Sequence, residues 1–196
     1  MKKYVTLLVL FFLWIAITAF KSEKSTFILD KGHTHIGFEV ERFLVGDVSG
    51  RFNDFDATLS MDGNDYGSLT LKAIIKVNSL DSNNEIRDSH LKGEVWLDQA
   101  NHPEIKFTST EVRKQGNGYV MDGKFTIKGI TQDVQFPIII QGPFKDPTQK
   151  VALGIKADFS INRFDYGITF NKKMDNGHLF IGDKVHIKIR ALAYQK

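Results

Sequence analysis

The sequence predicts an all-β fold: a long antiparallel up-and-down barrel of about eight strands with one or two short helices. Three observations predict it. Period-two alternation of apolar and polar residues dominates from Phe27 onward. One alternating run, Val151 to Ile161, would span about 35 Å at roughly 3.3 Å per residue, long for a sandwich strand. Turn signals such as Gly116-Asn117-Gly118 and Gly142-Pro143 separate the runs.

In chain order, Met1-Lys2-Lys3 precedes seventeen uncharged, mostly apolar residues, Tyr4 to Phe20, which Lys21, Ser22, Glu23 and Lys24 end abruptly. Residues 1–20 therefore read as a secretory signal peptide, with an uncleaved anchor as the alternative. Ala16-x-Thr18 and Ile17-x-Ala19 are both imperfect cleavage patterns. The absence of cysteine removes a lipoprotein anchor, disulfides and thiolate metal sites together. Residues 21–196 read as one domain, large enough to fold on packing alone.

The first alternating run sets Ile36, Phe38 and Val40 against His35, Gly37 and Glu39. Leu69, Leu71, Ala73, Ile75 and Val77 share a phase. Ser82-Asn83-Asn84-Glu85 forms a capping-box pattern and Gly93 a stop, predicting a short helix over 83–91 that carries Ile86, His90 and Leu91. Trp96 to Pro103 is irregular and precedes a strand at Ile105–Thr110. Tyr119, Met121, Phe125 and Ile127 alternate around Gly123, and Val134, Phe136, Ile138 and Ile140 follow. The clearest run carries Val151, Leu153, Ile155, Ala157, Phe159 and Ile161, and Val185, Ile187 and Ile189 close the set. Each pattern gives one dry face and one wet face.

The dry faces mix large residues with small ones (Ala57, Ala73, Gly123, Ala157), which is compatible with an open lumen or with an interdigitated solid core. The 26 Lys and Arg residues less Lys2 and Lys3 leave 24 bases against 23 acids, a balance that implies no nucleic-acid surface. Catalytic signatures are missing as well: there is no G-x-S-x-G elbow, phosphate-cradling loop or acid pair on an apolar wall. The expectation is a binding protein without cofactor or metal. His33 and His35 would share a strand face and could touch one metal, but no third ligand accompanies them.

Six ordered blocks carry a family resemblance: Asp30-x-x-His33-Thr34-x-Ile36-x-Phe38-x-Val40; Val48-x-Gly50-x-Phe52-x-x-Phe55; Asp88-x-His90-Leu91 with Trp96-x-Asp98 and Pro103-x-Ile105-x-Phe107-x-Ser109-Thr110; Gly123-x-Phe125-Thr126-Ile127-x-Gly129-Ile130-Thr131; Ile161-Asn162-Arg163-x-Asp165-Tyr166-Gly167-Ile168; and Gly182-Asp183-x-Val185. Over about residues 27–193 the chain resembles the YceI-like polyisoprenoid-binding proteins. The resemblance implies an extended, eight-stranded, lipocalin-like barrel that holds a long-chain isoprenoid lipid or quinone, or an isoprenyl pyrophosphate, in its lumen. It also implies the bacterial periplasm and, for loading, transient contact with a membrane surface. Arg42 stands where the family often has His, which points to a different polar end on the ligand.

The expected wall is Phe38, Phe52, Ile75, Val77, Phe107, Phe125, Ile127, Phe136, Ile138, Phe159 and Ile161, inferred from phase. The expected polar contacts are His90, Arg163 and Arg42. Arg163 continues the phase of Val151 to Ile161, so it should stand at one end of the channel, either clasping a head group or ion-paired with Asp88 or Asp165. His90 reads either as a head-group contact or as a hydrogen-bonded anchor for the helix. Two rivals remain open: a filled barrel acting through its surface as an interaction or stress-protection module, and a lipid-modifying enzyme using His90. A homodimer is compatible with the sequence, which does not give the oligomeric state.

Overall fold

A computed structural model describes residues 23–196; the expected leader lies outside them. Eleven hydrogen-bonded segments make one antiparallel sheet that closes on itself. β1 (Lys24–Leu29) and β2 (His35–Arg42) are halves of a first barrel strand. β3 (Gly46–Phe52) and β4 (Phe55–Asp62) are halves of a second. β5 (Asp65–Lys76) and the two-residue β6 (Leu80–Asp81) make the third. β7 (Glu104–Gln115), β8 (Gly118–Ile127), β9 (Ile130–Lys145), β10 (Val151–Asn162) and β11 (Ile181–Gln195) complete eight strands in meander order. β11 closes the ring by pairing with β2 through Val185–Arg190 and with β1 through Ala193–Gln195.

The first three strands break side by side. A 3-10 turn at Lys31–His33 splits the first, Asn53-Asp54 the second, and a 3-10 turn at Val77–Ser79 the third. The corner is stitched across: the Asn53 amide donates to the Ser79 carbonyl at 3.1 Å, the Ser79 hydroxyl to the Asp54 carbonyl at 3.3 Å, and Lys31 pairs with Asp54 and Asp56. This corner places His33 in a turn rather than on the β2 face with His35, where its Nδ1 meets Asp30 at 2.8 Å.

The alternation is clearest along the middle of β10, where Leu153, Ile155 and Ala157 are buried while Lys156 and Asp158 face water. Each buried Leu, Ile or Phe side chain contributes about 1.5–3 kcal/mol.

The helix, α1 (Glu85–Lys92), starts later than the capping box predicts. Asn84 is the cap, accepting from the Arg87 amide at 2.9 Å. Ser82 is instead buried beneath the helix, its amide donating to Asp88 and its hydroxyl also bonded to Asp88. The Arg87 Nε donates to the Ser82 hydroxyl at 2.8 Å, so Asp88 and Arg87 are both committed to holding α1 onto the barrel. Residues 93–101 follow as consecutive turns.

Candidate ligand-binding site

The two ends of the barrel differ. At the end holding the chain's described start, Phe27, Leu59, Met61, Leu69, Met121 and Leu153 fill the interior, each almost wholly buried. This is a solid apolar plug. Above it lies an apolar cavity of about 190 Å³, and at the far end Leu91, Trp96, Leu97 and Ile168 roof it. Thr34 and Arg163 are the polar side chains in its wall among the described residues. The lumen is therefore a blind tube.

Phe38, Phe52, Ile75, Phe107, Phe125, Ile127, Phe136, Ile138, Phe159 and Ile161 all line the cavity. Val77 does not: it is packed in the core, but it begins the 3-10 turn after β5, so the lining from that strand ends at Ile75. Within the wall, Phe136 and Phe159 stack with centroids 4.1 Å apart, and Phe107 and Phe125 extend the aromatic face. Of the small inward residues, Ala57, Ala73 and Ala157 border open space. Gly123 does not, because the Phe107 ring lies where a Gly123 Cβ would project, 2.5 Å away. Here the missing side chain admits an aromatic ring and leaves no channel.

Arg163 sits at the roof end, as its phase requires, and is 2 % exposed. Neither expected partner is present. Its Nε donates to the Gly182 carbonyl at 2.9 Å, Nη1 to Ile168 at 2.7 Å and Nη2 to Ile181 at 3.1 Å. Burial lowers its pKa, opposed by the nearby Asp183 carboxylate. Asp88 is bound to Ser82, and the carboxylate acting on Arg163 is that of Asp183 and not of Asp165. The ion-pair expectation is thus corrected: Arg163 is a buried cation that ties the loop after β10 to the start of β11 through backbone carbonyls.

Arg42 and His90 stand outside the cavity, in a groove of about 750 Å³ between the β2–β3 end and α1. His90 is exposed on α1; no hydrogen bond of its ring to another described residue anchors the helix. The groove runs into the cavity through Phe38, Val40, Leu91 and Trp96, which line both. An aromatic row follows this passage: Trp96 stacks on Phe170 at 5.1 Å, Phe170 meets Phe180 at 6.5 Å, and Phe180 meets Phe43 edge-on at 4.4 Å. Phe170 and Phe180 escaped the sequence reading because their segment shows no periodicity. Trp96 appeared there in an irregular stretch and in one block of the family resemblance, without a role in the site.

The rim is apolar where water would be expected. The β2–β3 turn is Phe43-Leu44-Val45, with Val45 92 % exposed; nearby Ile86 and Val95, which line the groove, are 73 % and 57 % exposed. Phe43 and Leu44 both hold positive φ, at 56° and 66°. Turns of that shape normally take Gly, Asn or Asp, and a bulky residue there costs on the order of 1–3 kcal/mol.

A family model described as the YceI-like domain matches residues 27–193. A UPF0312 protein of Photorhabdus laumondii is 35% identical over 145 residues, covering 74% of this chain and 73% of the relative. A UPF0312 protein of Yersinia pestis is 32% identical over 157 residues, covering 79% and 82%. Among solved structures, Burkholderia cenocepacia BcnA superposes with a TM-score of 0.72 at 21% identity, over 84% of this chain and 98% of that one. The Campylobacter jejuni YCEI protein gives 0.69 at 27% identity, over 86% and 96%. A polyisoprenoid binding domain from Saccharophagus degradans gives 0.67 at 12% identity, over 87% and 98%.

Proposed function

We propose that this chain, which belongs to the YceI-like family, binds the tail of a polyisoprenoid or similar long-chain amphiphile in its barrel and exchanges it with a membrane of the cell envelope. The observation that carries this reading is the blind apolar cavity joined by an apolar passage to an open groove. A structural neighbour described as a polyisoprenoid binding domain supports the ligand class.

The physical chemistry of a carrier fits. Burying a long hydrocarbon from water at about 0.8 kcal/mol per CH₂ would exceed the practical affinity ceiling, so such a lipid never travels free. Its exchange is from bilayer to barrel, apolar to apolar and nearly neutral, which allows loading and release alike. The cavity is smaller than the roughly 300 Å³ at which small-molecule sites usually begin. A long tail therefore seats one section between the aromatic wall and Ala57, Ala73 and Ala157, while its polar end stays in the groove. A solid-core barrel has no such space.

Membrane contact falls to the rim. Phe43, Leu44 and Val45 project apolar surface from the cavity's open end, and a lipid surface is the partner that rewards such exposure. With the predicted leader, this suggests a periplasmic protein meeting a bilayer with its mouth.

The test is transfer. The protein is incubated with phosphatidylcholine vesicles containing an isoprenoid quinone, the vesicles are removed by flotation, and quinone is measured in the protein fraction. Quinone remaining with the protein in a saturable, near-stoichiometric amount is expected. Its absence, with phosphorylated isoprenoids and fatty acids also failing to transfer, would refute the carrier reading.

A further inference from the structure

We infer that Arg42 is the receptor for an anionic head group, phosphate or carboxylate, on the lipid whose tail occupies the barrel. The inference rests on the carrier reading and adds where the polar end binds and what charge it bears.

Arg42 continues the inward phase of Ile36, Phe38 and Val40 and is the last residue of β2, so it stands where the cavity opens into the groove. Its guanidinium lies between two aromatic rings, 4.9 Å from the Phe43 centroid and 5.1 Å from that of Phe180. Its Nε is buried without a hydrogen-bond partner among the described residues. No ion pair among those residues includes it, although Arg51, Arg113 and Arg190 each have a carboxylate. The flanking rings offset part of the cost of holding the cation there, but rings do not accept its N–H groups in the guanidinium plane. A half-buried, ring-clamped guanidinium with an unpartnered Nε, in a groove that an apolar passage joins to the cavity, is matched by an oxyanion. The contrast with Arg163 sharpens the assignment. Arg163 is sealed and three backbone carbonyls use its donors, so the head-group role expected for it falls to Arg42. Asn84, Ser89 and His90 line the same groove and offer further polar contacts around the head.

The test compares farnesyl monophosphate with farnesol, which share a tail and differ in the head. Binding is read by fluorescence of Trp96, which lines both cavity and groove. The wild type should prefer the phosphate by about tenfold, the size of one charge-assisted contact. Arg42→Gln should bring the ratio close to one, Arg42→Lys should restore part of it, and added salt should weaken only the phosphate. If Arg42→Gln does not fold, the wild-type ratio with its salt dependence and the Lys variant decide the matter. A wild-type ratio near one, or a ratio unchanged in Arg42→Gln, overturns the Arg42 assignment and leaves the carrier reading standing. Failure of both compounds to bind overturns the carrier reading, and the Arg42 assignment with it.

Discussion

Arg42 and Arg163 flank Ile181: Arg42 faces it across the β2–β11 ladder, and Arg163 donates to its carbonyl at 3.1 Å. Both arginines end an inward phase at the same end of the barrel, yet they occupy opposite chemical states. Both lie over aromatic rings, but Arg163 is shut away with three backbone carbonyls accepting from it, whereas the Arg42 Nε has no partner among the described residues. The first ties the loop after β10 to the start of β11, and the second is the receptor proposed above for the head group.

Arg163→Met tests the structural half of that division. The substitution removes the donors of three carbonyls, those of Ile168, Ile181 and Gly182, the first of them buried. Loss of about 3 kcal/mol is expected, measured as a lower urea midpoint at unchanged slope. A midpoint within experimental error of wild type would mean that Arg163 does not brace the mouth.

Leu44→Gly should move stability and membrane binding in opposite directions. Glycine accepts the φ of 66° without steric cost, so unfolding should become harder by about 1 kcal/mol. The same change removes an exposed apolar side chain from the rim, and co-sedimentation with vesicles should fall several-fold. Unaltered sedimentation would remove the β2–β3 turn from the account of membrane contact.

Ala157→Phe should fill the lumen. Ala157 is buried in the cavity wall beside Phe159, so a ring there takes the space the tail needs. Lipid transfer should fall at least about tenfold, while stability changes by no more than the roughly 1–3 kcal/mol of mild overpacking. Transfer at the wild-type rate would locate the ligand elsewhere.

Tyr166 gives a prediction in alkali. Burial beneath the roof, with the Asp165 carboxylate adding to the effect, raises its hydroxyl from about 10 to about 12. In the unfolded chain the group ionises near pH 10, while in the fold it stays neutral until about 12. Its contribution to stability is thus complete below pH 10 and declines between 10 and 12 by up to about 1.4 kcal/mol per pH unit. Tyr166→Phe should flatten the pH dependence in that window, measured by urea unfolding at stepped pH. An identical slope in the variant would count against it.

The wall was legible because strand periodicity is a local property. Phe125 and Phe136 declare their face through their own neighbours, whatever lies across the barrel. Val77 is buried without lining the cavity because alternation in the letters runs one position past the end of β5, into the turn. The partners of Arg163 could not be read at all, since backbone carbonyls carry no residue signature and those at Ile181 and Gly182 come from beyond the following loop. Arg42 was nominated only through the family resemblance; its solitude depends on where every carboxylate falls after folding. The plug and the cavity have the same alternating pattern, so their difference lay in packing: Phe27 and Met61 meet at one end, whereas Ala73 and Ala157 leave room further along.

Native mass spectrometry of the gently purified protein, before and after organic extraction, tests the central claim most directly. The account predicts an added mass of several hundred daltons that extraction removes and that incubation with lipid vesicles restores. A protein that flies at its bare mass and takes up nothing from vesicles would contradict it.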